Sequence, residues 1–479
     1  MPGSAPAAKS GPIIEVRSID YVPPDERHGK VWHQGPFWFT GNFVLTTMVT
    51  GFIGPSLGLA VGWSVLAAVL GALFGTLFMC FHANQGPTMG MPQMIQSRAQ
   101  WGSRGAIFPF IAVIFVYIGF NVFNVILATQ SLDTVLSAPD AVWYVVLIAA
   151  SLLIAVVGYD LMMIVQRWLT YVLIAVFGVL TVWALTSLHM GSAIPQGGHF
   201  AWAAFLVQFA AAAGYQISYA VYVSDYSRYL PEDTPARKVI WWTYLGAAGS
   251  AVWLMSLGAV VGSAVAAPDA VGSVRHLGNA LFRGFGTFAI LVSAVALVSI
   301  MSVNSYGAML TSASAIDGFR KVKPTLRLRV TGIAVISVII FVVALAIPGR
   351  YLGSFSNFVT LMLYFLVPWT AVNLVDFYFV RRGHYSIMDI FDPRGIYHRW
   401  AWRGLVAYFA GLAAMVPFVS LTFFQGPVTK ALGGADVSFA VGLTVAGGLY
   451  YLFGRGLDLG PELAAVRRSR NVLVTGSVE

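Results

Sequence analysis

Apolar runs of about 20 residues, the length that crosses a bilayer as a helix, recur from residue 36 to residue 453 and leave this chain few possible folds. Twelve can be drawn, at roughly 36–58, 61–82, 105–132, 140–158, 164–188, 200–225, 238–264, 284–313, 328–347, 353–380, 403–424 and 434–453. Of the 479 residues 58% are hydrophobic and 10% charged, where a soluble protein carries about 25% charged residues. The mean hydropathy is +0.76. The chain reads as an all-α polytopic membrane protein with about 12 transmembrane helices. A polar segment, 1–35, precedes the membrane domain, 36–453, and a short tail, 454–479, follows it. The tail is expected to be mobile.

An even number of spans puts both termini on one side. With both in the cytoplasm, only Arg275, Arg283, Arg350 and Lys430 of the 28 Lys and Arg residues fall outside, as the positive-inside rule requires. The same bias accounts for the net charge of +9 without nucleic acid as a partner. The first 35 residues are polar and carry Lys9, Arg17, Arg27 and Lys30, so no cleavable signal peptide is expected. Cys80 stands alone, which excludes an intramolecular disulfide.

Enzyme chemistry finds little support. Gly54-Pro55-Ser56-Leu57-Gly58 matches G-x-S-x-G, but on a membrane helix with no intramembrane His. Helix packing explains it better. No zincin motif, P-loop or metal-ligand cluster is present, and no cofactor is expected.

Two apolar segments are interrupted. The sixth, residues 201–231, is apolar to Ala213 and then reads Gly214-Tyr215-Gln216-Ile217-Ser218, closing with Asp225 and Arg228. The first carries Gly41, Asn42, Thr46, Thr47, Thr50, Gly51 and Gly54. Glycine and polar side chains at mid-depth are where a membrane helix breaks and turns its backbone toward a ligand. The two lie five spans apart, as matching broken helices of two inverted repeats would, about 36–188 and 200–380, with extra helices at about 403–453. Asn42 and Ser218 are therefore candidate substrate residues. In the third span Tyr117, Phe120, Asn121 and Asn124 share one helical face and join them. Loop 82–109 is rich in Gly, Pro and Gln and is expected on the cytoplasmic side.

Three stretches carry a resemblance: SDYSRYLPED after the sixth span, MPQMIQSRAQWGSRGAIFP between the second and third, and NLVDFYFVRRGHY after the tenth. They look like the nucleobase:cation symporter-1 family, closest to its purine/cytosine permease branch, over roughly residues 30–455. The resemblance implies the LeuT-like fold, two inverted five-helix repeats plus two helices. It also implies uptake of a nucleobase or related planar heterocycle (a hydantoin, allantoin or a vitamin-like ring among them) with Na⁺ or H⁺. A passive facilitator is the alternative, and a monomer is compatible with the pattern.

The resemblance also places roles. A stacking aromatic falls on Phe120 and an edge-binding amide on Asn124, where the family often carries Trp and Gln. The second stacking position falls on Gln216, with Tyr215 beside it. Either Tyr215 stacks and Gln216 binds the ligand edge, or the sandwich is open on this side. A packing ring and helix-bridging amides are the plainer reading of the same residues. For sodium, the carbonyls of Thr40, Phe43 and Ser299 and the hydroxyl of Ser302 match, while Val303 occupies the second hydroxyl position. No acid or His falls at mid-depth in the pattern. Asp225, Asp317 and Asp376 are expected to pair with Arg or Lys at the inner ends.

Overall fold

The computed structural model describes residues 20–157, 159–187, 198–265, 267, 269–322, 325–347 and 351–475. Among these, eight helices are long and apolar enough to cross a membrane. Shorter apolar helices at Asp140–Val156, Trp402–Phe418 and Ser438–Gly454, together with an interrupted first span, occupy the remaining expected positions.

The first span breaks where its glycine and polar residues forecast. Gln34–Asn42 is helical, Phe43 and Val44 leave helical geometry, and the chain resumes as Leu45–Thr50 and Ile53–Ser56. The Asn42 carbonyl freed by the break accepts the Val44 amide at 3.1 Å and the Thr47 hydroxyl at 2.6 Å. Backbone at membrane depth is tolerated because such partners satisfy it.

The sixth span behaves differently. Trp202–Ile217 stays α-helical straight through Gly214. The helix then tightens to a 3₁₀ segment, Ser218–Val221, and leaves helical geometry at Tyr222 before Val223–Ser227. Gly214 has another purpose: a Cβ there would run into the Val359 carbonyl of the tenth span. The glycine lets two helix backbones touch, as small residues do between membrane helices.

Packing relates the two halves. The broken first span lies on the seventh, Ala236–Ala264, and the sixth lies on the second, Val61–Ala83. The third, Ile107–Asp133, packs on the eighth, Phe285–Asp317. Each half's interrupted helix therefore packs on the helix that follows the other's.

Loop 82–109, polar as it is, is largely buried. It folds into Gln85–Met89, Gln93–Gln96 and Arg98–Trp101, and Gln93, Gln96, Arg98 and Gln100 are at most 2% exposed. Partners make this possible, since a buried polar group is costly without one. Gln93 Nε2 donates to Gln85 Oε1 at 2.9 Å and lies 3.1 Å from His82 Nδ1. Gln85 Nε2 donates to Asn373 at 2.6 Å and Gln100 to Asp376 at 2.7 Å. Two of the expected ion pairs are Arg98 with Asp317 at 3.3 Å and Arg381 with Asp376 at 2.6 Å. Asp225 also accepts the Gln93 backbone amide at 2.8 Å.

Two further expectations change. The tail forms a helix, Gly460–Thr475, tied down by Glu462 to Arg381 at 2.6 Å. The eleventh span ends early, with helix Trp402–Met415 and a turn to Phe418, and a small hairpin pairs Ser420–Leu421 with Phe424–Gln425. Asp436, at the start of the twelfth span by sequence, is 2% exposed and accepts from the Tyr364 hydroxyl of the tenth helix and from the Ser420 and Ser438 amides.

Candidate functional site

The break in the first span exposes Thr46 and Thr47 to the third and sixth spans. Thr46 donates its hydroxyl to Asn124 Oδ1 at 2.6 Å, and Thr47 lies 2.8 Å from the Tyr215 hydroxyl. Phe120, one turn before Asn124, meets the Tyr215 ring edge-on at 5.2 Å. Phe358 of the tenth span, helix Tyr351–Val375, meets the Phe120 ring at 5.4 Å. Phe120, Asn124 and Tyr215 are all buried, and none of the residues gathered here is charged. Thr46 takes Asn124 Oδ1, and among the described residues no hydrogen bond from Asn124 Nδ2 is seen.

The remaining expected residues are placed elsewhere. Tyr215 and Gln216 are successive on a helix, about 100° apart, so only one can face the third span. Tyr215 does. Gln216 points to the second and seventh spans, donating to Thr76 at 2.7 Å and to the Ala247 carbonyl at 3.2 Å. Asn42 donates to that same carbonyl at 3.0 Å. Asn121 bridges to the eighth span through the Met301 carbonyl at 3.0 Å and Ser305 at 2.9 Å. Ser218 returns its hydroxyl to the Tyr215 carbonyl at 2.6 Å. Tyr117 stacks on Tyr222 at 5.5 Å, toward the Arg-rich end of the bundle. Thr46 and Thr47 were named by sequence as part of the interruption but not as site residues, although they follow the break immediately, and Phe358 was not named. Phe358 carries no local signal.

Of the expected ion ligands, Thr40 and Ser299 line a cavity of about 10 Å³ together with Val44, Ala296 and four residues of the fifth span, Gln166, Leu169, Thr170 and Leu173. Phe43 and Ser302 are not among these liners. The Phe43 ring stacks on Phe39 at 5.1 Å, and the Ser302 hydroxyl donates to the Ser299 carbonyl at 2.6 Å. Ser299 Oγ is buried and hydrogen-bonds to nothing among the described residues, an orphaned oxygen of the kind that suits a small cation or water.

Residues 21–442 match the family described as permeases for cytosine/purines, uracil, thiamine and allantoin. The chain belongs to that family. A Bacillus subtilis protein provisionally assigned as a purine-cytosine permease is 38% identical over 446 residues, covering 92% of this chain and 95% of the relative. The purine-cytosine permease of Emericella nidulans is 25% identical over 463 residues, covering 90% and 87%. Among solved structures, Mhp1, a nucleobase-cation-symport-1 family transporter in a closed conformation with bromovinylhydantoin bound, superposes with a TM-score of 0.73. At 18% identity, over 96% of this chain and 99% of that one, the likeness speaks to the fold. A Na⁺-coupled sialic acid symporter matches at 0.61 and 12% identity, over 90% of each chain. The permease is therefore a multi-pass membrane transporter with the LeuT-like arrangement of inverted repeats, and not an enzyme. The exchange of packing partners between its halves is what that arrangement requires.

Proposed function

We propose that this permease takes up a nucleobase, a purine or cytosine, by cation symport with alternating access. The observation that carries the reading is the meeting of Phe120, Asn124, Tyr215 and Thr46 beside the break of the first span, without a charged side chain among them. A planar neutral heterocycle needs a ring face and an edge of donors and acceptors, and this group offers both. Asn124 is the edge-binding amide in this reading, with Phe120 and Tyr215 as the rings. Asn42, Tyr117, Asn121, Gln216 and Ser218 act as the surrounding frame. The relatives named as purine-cytosine permeases support the nucleobase class. The hydantoin bound by Mhp1 favours a second reading, a hydantoin-like ring in the same place.

Sodium is the coupling ion in this proposal, held between the first and eighth spans near Thr40 and Ser299. A cation there fastens the two spans and favours one conformation. Substrate shifts the population further by the contacts it makes only when the site is closed. Both termini face the cytoplasm, as the Lys and Arg distribution supports.

Uptake of labelled cytosine, adenine and hypoxanthine into proteoliposomes tests the proposal. Accumulation above the outside concentration under an inward Na⁺ gradient is the expected result. Equilibration without accumulation under any gradient would make the protein a facilitator. Accumulation driven by a pH gradient alone would transfer the coupling to protons, with Asp225, Asp317, Asp376 and Asp436 as the carboxylates to test.

A further inference from the structure

Position 303 is Val, so a cation between the first and eighth spans lacks one of the hydroxyls that the family resemblance implies. Polar residues of another helix border the cavity next to Thr40 and Ser299. The cavity bordered by Thr40 and Ser299 is closed on its far side by the fifth span, helix Tyr159–Ser187, through Gln166, Leu169, Thr170 and Leu173. Its volume, about 10 Å³, is near that of one water-sized occupant. Its walls are otherwise Val44, Ala296 and the two leucines, so the polar atoms stand out.

The polar liners are Thr40, Ser299, Thr170 and Gln166. Ser299 is 1% exposed, and its Oγ has no hydrogen-bond partner among the described residues. Thr170 is 4% exposed and gives its hydroxyl proton to the Gln166 carbonyl one turn back, at 2.8 Å. A hydroxyl whose proton is already committed presents only lone pairs to the other side, which suits a cation and not an anion. Gln166, four residues before Thr170 and so on the same helix face, also lines the cavity. An isolated buried hydroxyl without a partner is costly, and an unpaired buried cation costs far more. Each resolves the other if the ion sits in this cavity.

We infer that the fifth span completes the cation site: Thr170 and Gln166 supply the oxygens that Val303 lacks, and Ser299 coordinates through its side-chain hydroxyl. This inference rests on the sodium-symport reading and adds a helix to it. The ion then ties three spans together, first, fifth and eighth. Movement of the fifth span away from the eighth would open the ion's ligand set, which links ion release to a displacement of that helix.

Thermal unfolding of the purified permease, titrated with NaCl against choline chloride at constant ionic strength, is the test. A ligand that binds only the folded state raises the midpoint in proportion to its occupancy. Sodium should raise the midpoint of the unaltered protein. In Thr170→Val, which keeps the shape and removes the oxygen, the Na⁺ needed for half of that rise should increase about ten-fold or more, the loss expected for one bond to a charged group. The midpoint in choline should be unchanged. Thr170→Ser should behave as the unaltered protein. Ser299→Ala provides the same reading if Thr170→Val does not fold, and Val303→Thr in the Thr170→Val background should recover sodium affinity. If Thr170→Val and Ser299→Ala both respond to sodium as the unaltered protein does, the inference is overturned and the sodium reading stands. If the unaltered protein shows no response to sodium while a nucleobase still raises its midpoint, both the inference and sodium coupling fail, and the heterocycle reading survives.

Discussion

The two interrupted helices look alike in sequence and are built differently. The first span opens completely at Phe43 and Val44. The sixth remains helical past Gly214-Tyr215-Gln216 and opens only at Tyr222, nearer the Arg-rich end. At the level of Phe120 the first span therefore contributes the two threonines that follow its break, while the sixth contributes a side chain, Tyr215, held at a definite helical phase. A glycine in a polar stretch marks either a break or a close packing contact. Which one it marks depends on the neighbouring helix.

Exchanging each glycine for alanine separates these roles most sharply. Gly214→Ala should destabilise by about 3 kcal/mol, the upper part of the range for overpacking, because the obstacle is the Val359 backbone and cannot swing aside. Gly41 has open space where a Cβ would be, so Gly41→Ala should leave stability within about 0.5 kcal/mol. Melting temperatures of the purified variants decide it. Equal losses at both positions would mean that Gly214 is no tighter than Gly41.

The amides give the next contrast. Asn124→Ala should weaken nucleobase binding by about 1–3 kcal/mol, roughly five- to 150-fold in Kd, since the ligand edge loses its partner. Gln216→Ala should leave Kd within about two-fold and lower the melting temperature instead, because its bonds go to Thr76 and Ala247. Calorimetric titration alongside unfolding measures both. A larger affinity loss for Gln216→Ala would turn the sixth span's site face from Tyr215 to Gln216.

Phe120→Leu is the smallest of the expected effects. It keeps most of the volume and removes the ring face, so binding should fall by about 0.5–1.5 kcal/mol. The ligand-free protein should lose less than that in stability. If the loss appears fully in the ligand-free protein, Phe120 is packing against Tyr215 and Phe358 and not stacking on substrate.

Much of the architecture was legible before folding was considered. Span positions follow from local hydropathy, because lipid rewards apolar runs wherever they lie. The break at Asn42 is equally local. The burial of loop 82–109 was not, since its Gln and Arg residues read as solvent-loving until Asn373, Asp376 and Asp317 arrive from distant spans to pair with them. The C-terminal helix was missed for a related reason. Its anchor, Glu462 to Arg381, joins residues far apart in the chain.

The sequence by itself determined that this chain crosses the membrane many times, which end carries its positive charge, where its first helix breaks and that its middle holds rings and amides without charge. Those properties depend on composition and on spacing within one segment. The tertiary structure alone decided that Tyr215 and not Gln216 meets Phe120, that Phe358 packs on Phe120, and that the fifth span borders the cavity at Thr40 and Ser299. Each of these turns on the rotation of one helix against another. That rotation is set by the sum of packing contacts along the whole interface and not by any residue's immediate neighbours in the chain.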